Sequence, residues 1–124
     1  VKFREALAIG AVVTRGLDTS LFLLPLEEWG KLADKLAGLP LGQANSRAFA
    51  RLMSAGAMDT RLDKQGRFII PEYLRTYAGL KKEVVMVGIQ NRLEIWDKAA
   101  WEAYTKQAEE DATAIAEQLG SMGI

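Results

Sequence analysis

The residues with the most chemical content are Asp63-Lys64-Gln65-Gly66-Arg67. If they turn a tight two-stranded ribbon, Arg67 presents a planar fork that matches guanine O6 and N7 in a major groove. Lys64 at the turn is a compact charge suited to a phosphate. Gly66 would supply the positive φ of a tight turn. Asp63 is a poor neighbour for phosphates, but its carboxylate can accept from the turn's backbone N–H groups or hold Arg67 in place. Arg61, just ahead of the turn, could add a phosphate contact, and Arg75, Lys81 and Lys82 are weaker candidates. The same residues also fit a plain cross-strand ion pair on a solvated hairpin. Their types alone leave both readings open.

Other chemistry is poorly provided for. The chain has no cysteine and no histidine, which removes the thiol nucleophile, the disulfide, and the commonest general base and metal ligand. Carboxylates, lysines and hydroxyls remain, in no spacing that suggests catalysis. No enzyme activity, cofactor, metal site or small-molecule substrate is expected. No apolar run approaches the ~20 residues of a membrane span, and the missing cysteines suit a cytoplasmic protein.

Net charge is zero over 124 residues, yet it is unevenly spread. Arg61, Lys64, Arg67, Arg75, Lys81 and Lys82 outweigh Asp63 and Glu72 in the middle. Towards the end, Glu102, Glu109, Glu110, Asp111 and Glu117 face only Lys106. This is either a bipolar surface with one basic side or an ordinary solvated one.

The elements that must position the hairpin come from an internal repeat. Val12-Val13, Gly16, Leu21 and Trp29 reappear as Val84-Val85, Gly88, Leu93 and Trp101, all at an offset of 72. Phe3-Arg4 matches Leu74-Arg75 with a one-residue gap. The pattern indicates a tandem duplication. Each copy reads as a short helix (Val1–Leu7, Glu72–Tyr77), a β-branched strand (Val12–Thr14, Val84–Val87) and a glycine turn (16–19, 88–91). A return strand (Leu21–Leu24, Leu93–Trp96) and a closing helix follow. Pro71 and Gly79 bracket the second short helix. Leu26, Trp29, Leu32, Ala33 and Leu36 stripe one closing helix, and Trp101, Tyr104, Ala108, Ile115 and Leu119 the other. Both tryptophans are expected in core packing.

Gly38-Leu39-Pro40-Leu41-Gly42 reads as a loop. A helix from Ala44 to Met53 follows, with Phe49, Leu52 and Met53 apolar and Arg47 and Arg51 sharing a face. These arginines suit phosphate or, better, acids of a neighbouring subunit. Ahead of Pro71, Met58–Leu62 and Arg67–Ile70 read as the two strands of the basic hairpin. The matching hairpin of the first copy would fall before Val1, so the sequence is expected to begin partway through its first repeat. The expected organisation is a first repeat at 1–38, a connecting loop and helix at 39–57, and a second repeat with C-terminal helix at 58–124.

Asp63 to Arg67 followed by Phe68-Ile69-Ile70-Pro71 resembles the DxxxR signature of the MraZ family. Thr14-Arg15-Gly16-Leu17-Asp18, Leu24-Pro25-Leu26-Glu27-Glu28-Trp29, Ala48-Phe49, Ser54-Ala55-Gly56-Ala57 and Glu94-Ile95-Trp96 extend the likeness over almost the whole chain. DxxxR alone is a weak pattern, whereas the combination is specific. The resemblance implies an α+β fold of two tandem AbrB-like swapped-hairpin units forming a split β-barrel flanked by helices. It also implies a cytoplasmic, nucleoid-associated transcriptional regulator that binds double-stranded DNA at direct repeats upstream of the bacterial division and cell-wall gene cluster. The partner set is DNA and a homo-oligomer, as a ring, and no membrane. Asp63, Lys64, Gly66 and Arg67, with Arg61, would form the DNA-reading loop, and the family's first such loop is expected to fall ahead of Val1. An AbrB-like antitoxin or protein-interaction module is the alternative, with the acidic C-terminal helix as the partner-binding tail.

Overall fold

The computed structural model describes residues 4–123. In chain order the elements are α1 (Arg4–Ile9), β1 (Ala11–Arg15), β2 (Leu21–Pro25), α2 (Leu26–Ala37), α3 (Ala44–Ala55), β3 (Met58–Thr60), α4 (Glu72–Tyr77), β4 (Val84–Ile89), β5 (Arg92–Asp97), α5 (Lys98–Glu110) and α6 (Ala112–Gly120). The fold is α+β, built on one open antiparallel sheet in the order β3-β1-β2-β5-β4. Two hairpins, β1–β2 and β4–β5, meet along a β2–β5 seam that pairs Leu21 with Ile95 and Leu23 with Leu93.

β2 carries no polar residue, and all five of its residues are buried, because the sheet has a core on each face. Side chains alternate across a strand, so Leu21 and Leu23 join Ala11, Val13, Ile95, Leu7, Leu74 and Ala78 in one core. Phe22 and Leu24 join Leu36 and Met53 in the other, flanked by Trp29, Leu32, Leu39 and Phe49. α1 and α4 thus contribute to the first core, α2 and α3 to the second. Thr14, fully buried, donates from Oγ1 to the Met53 carbonyl at 2.6 Å and fixes the end of α3 to β1.

Local chemistry explains the element ends. Pro71 precedes α4, and Gly79 at φ +61° closes it in a Schellman arrangement, with Gly79 N–H to Thr76 O and Leu80 N–H to Arg75 O. Gly16 lies against Phe22, whose ring a Cβ would meet at 2.7 Å. Asp97, buried, caps α5 by accepting from Ala100 N–H, and also accepts from Lys81 N–H.

Several expectations need correction. The first helix runs from Arg4 to Ile9, two residues past the expected Leu7, and the expected Val1–Phe3 portion lies outside the described residues. Gly88 and Ile89 belong to β4, not to its turn, which is the two-residue Gln90-Asn91, with Gln90 at φ +55°. Met58–Leu62 is a strand only to Thr60, and Arg67–Ile70 is not a strand. The reason is pairing: the incoming arm takes its ladder partners from β1, and among the described residues the outgoing arm has no strand beside it. The expected C-terminal helix is two helices that meet at Asp111. Neither buries a residue, and Tyr104 and Ile115 are more than two-fifths exposed. Its stripe is at most half-buried, and at the start Trp101 and Tyr104 pack on Trp96 with ring centroids 5.3 Å and 4.9 Å away. The expected packing role of both tryptophans holds: Trp29 packs half-buried against the second core and Trp101, also half-buried, against Trp96.

Candidate nucleic-acid interface

The segment from 61 to 71 rises between β3 and α4, and its tip is organised by one carboxylate. Asp63 Oδ1 accepts from Gln65 N–H at 2.9 Å and Arg67 N–H at 2.8 Å, while Oδ2 accepts from Arg67 Nε at 3.1 Å. Two backbone bonds close the turn, Asp63 N–H to Arg67 O and Gly66 N–H to Asp63 O. Gly66 has φ +77°, the conformation that glycine enters without a Cβ clash. Both roles expected of Asp63, ordering the turn and holding Arg67, are present together.

The ion pair expected of a plain solvated hairpin is therefore real, and it also shapes the arginine. Nε donates to Asp63 and Nη2 to Gln65 Oε1 at 3.3 Å, on a side chain that is 73% exposed and whose Nη1 makes no hydrogen bond among the described residues. Exchange of the Gln65 bond for a base would present the Nη1–Nη2 fork suited to a guanine Hoogsteen face. Lys64 at the apex and Arg61 below it are exposed and make no ion pair among the described residues. Arg75, Lys81 and Lys82 are also exposed, farther along the chain. Arg47 donates to the Leu41 carbonyl of its own loop at 2.8 Å.

Below the tip the arms diverge around an open cleft of about 790 Å³, lined by Met58, Asp59, Thr60, Phe68, Ile69 and Pro71 among others. The outgoing arm is held by Phe68 and Ile70, which pack against the first core with Leu62. At its base lies a contact that sequence reasoning did not assign. The Arg15 guanidinium lies over the rings of both Tyr73 and Tyr77, 5.6 Å from each centroid. The one advance signal was two tyrosines four residues apart on α4, which share a helix face.

The Asp63 carboxyl is held below the ordinary aspartate range, first by the Arg67 backbone N–H, with partial loss of water opposing, and then by the Arg67 side chain and the Gln65 N–H. A depressed folded value means that the turn's order is present above the ordinary pKa of about 3.9 and is lost as pH falls through the lower one. The Arg67 amide resonance is expected to titrate with a midpoint below about 3.9 and to lose that step in Asp63→Asn. A midpoint at or above the ordinary value would show that these amides do not hold the carboxylate in solution.

The class of protein this defines is an α+β sheet protein that projects a basic loop whose tight turn is ordered by an aspartate. The family model described as "MraZ protein, putative antitoxin-like" matches the chain twice, over residues 1–52 and 53–121. The chain belongs to the MraZ family. It is 46% identical over 123 residues to a protein of Acetivibrio thermocellus named transcriptional regulator MraZ. Proteins of the same name from Desulfitobacterium hafniense and Pediococcus pentosaceus are 47% and 50% identical over the same length. Each alignment covers 99% of this chain and 86% of the relative. No helix among the described residues is long and apolar enough to cross a membrane.

Proposed function

We propose that this chain is a sequence-specific DNA-binding transcriptional regulator, cytoplasmic and nucleoid-associated, that reads short direct repeats through the Asp63–Arg67 hairpin. The observation that carries the reading is the tip geometry: one carboxylate orders the turn and holds Nε of an exposed arginine, with Lys64 beside it. Arg67 reads a guanine, Lys64 and Arg61 neutralise phosphates, and Asp63 and Gly66 shape the loop. The names of the relatives support regulation of transcription. The family resemblance supports the target, repeats ahead of the division and cell-wall gene cluster, and a tandem AbrB-like architecture with a split barrel.

A single loop offers few contacts, whereas specific DNA recognition usually buries ~1,000 Å² or more of protein. A ring of subunits that repeats the loop at the spacing of the DNA repeats gains ~10²–10⁴ in avidity, so oligomerisation is part of this mechanism. Fluorescence-anisotropy titration onto repeat-bearing and scrambled duplexes at two salt concentrations is the direct test. Tighter, salt-sensitive binding to the repeats is expected, and equal affinity for both duplexes would overturn the reading.

One observation favours a second reading, in which the C-terminal helices neutralise a protein partner. No residue of the apolar stripe of α5 and α6 is fully buried, and Tyr104 and Ile115 on it are exposed, where a helix docked along its length would have removed that possibility. The same titration on a chain ending at Glu110 separates the readings. Loss of assembly and of repeat binding assigns α6 to the oligomer, and full retention leaves it for a partner.

A further inference from the structure

We infer that Arg15 is a positioning residue for the Arg67 hairpin, acting as a wedge at its base; the inference rests on the DNA-reading function proposed above. The two ends of the hairpin segment are Gly56, where the chain leaves α3, and Tyr73, in the first turn of α4. Tyr73 Oη donates to the Gly56 carbonyl at 2.8 Å and closes that base. The Arg15 guanidinium lies beside this closure. It lies over the Tyr73 ring and over the Tyr77 ring, 5.6 Å from each centroid, and its Nη1 donates to the Leu52 carbonyl at 3.1 Å. Tyr77 Oη in turn donates to the Gly16 carbonyl, next to Arg15 in sequence, at 2.9 Å. A Cβ on Gly56 would come within 2.5 Å of Arg15 Nη1, so the absence of a side chain there admits the guanidinium.

This arrangement matters because the two arms are unequally anchored. The incoming arm is fixed by its ladder to β1, from Met58 opposite Val13 to Thr60 opposite Ala11. The outgoing arm, which carries Arg67, has no ladder. Its pitch is set by the packing of Phe68 and Ile70 and by where α4 begins, and Arg15 fixes α4 against both β1 and the end of α3. A planar guanidinium can stack on two rings and donate in its own plane at once. A lysine ammonium keeps the charge but cannot do both.

The test is Arg15→Lys in the full chain. The chain contains no cysteine, so spin labels on cysteines introduced at Lys64 and Lys35 report the tip's position without background. The expected result is an unchanged circular-dichroism spectrum, a broadened label-to-label distance distribution, and, in the unlabelled variant, a roughly tenfold loss of discrimination between repeat and scrambled DNA. The slope of affinity against salt should stay at the parent value, because no phosphate contact is removed. A slope reduced by about one would make Arg15 itself a phosphate contact and overturn the inference. An unchanged distance distribution would overturn it as well. If the parent does not discriminate, the DNA-reading function fails, and the distance distribution still decides the wedge. Should Arg15→Lys not fold, Tyr73→Phe removes only the closure onto Gly56 while keeping the ring. It should broaden the distribution in the same way, and a parent-like distribution would count against the wedge.

Discussion

Arg67→Ala is expected to abolish the preference for repeat-bearing DNA while leaving the protein folded. One well-placed arginine fork on a guanine is worth ~1–3 kcal/mol of discrimination, and in an oligomer that loss recurs at every engaged loop. Stability should hardly change, because the side chain is 73% exposed and exposed ion pairs contribute ~0–1 kcal/mol. The parallel change Lys64→Ala should weaken repeats and scrambled duplexes alike and lower the salt slope by about one. The contrast between the two variants is the measurement. If Arg67→Ala weakened both duplexes equally, Arg67 would be a phosphate contact and sequence would be read elsewhere. If it discriminated like the parent, the hairpin would not be the reader.

Leu74→Ala is expected to cost about 2–5 kcal/mol of stability, the range for truncating an enclosed leucine. Leu74 is the fully buried residue of α4 and sits in the core shared by β1, β2 and β5. Urea unfolding read as a midpoint shift at constant slope would give the value directly. Because α4 seats the outgoing arm, repeat discrimination should fall even at urea concentrations where the variant is still folded. A cost under about 1 kcal/mol would mean that α4 does not pack on the sheet in solution as it does here.

What the sequence revealed follows from which forces are local. The helix Glu72–Tyr77 was legible to the residue because Pro71 and Gly79 mark its two ends and the Schellman bonds need only neighbouring residues. The two β hairpins and the turn chemistry of Asp63 and Gly66 were legible for the same reason. The α+β class followed from those elements, but which strands lie side by side did not. Arg67–Ile70 looks like a strand by composition. A strand, however, is defined by a partner, and β1 gives its free edge to Met58–Thr60 instead. The turn at 88–91 was placed by its glycine, whereas the positive φ falls on Gln90. The stripe on α5 and α6 was readable as a pattern, but where it docks is a tertiary matter that periodicity does not contain. Arg15 was invisible as a positioning group because its partners, Leu52, Tyr73 and Tyr77, reach it only after the sheet has formed.

The β2–β5 seam has a further consequence, for the order of folding. Each hairpin closes over a short turn, an event of ~1–10 μs, whereas the seam joins Leu21 to Ile95 across most of the chain. That closure carries the larger entropic cost and makes it the slow step. Until it happens, the wholly apolar β2 and the inner edge of β5 both stand open, each offering unpaired backbone to any extended segment nearby. On a ribosome β2 emerges long before β5, so during synthesis this strand has no native partner on that side. It is the stretch of the nascent chain most exposed to mispairing with a neighbouring copy and most in need of a chaperone's cover.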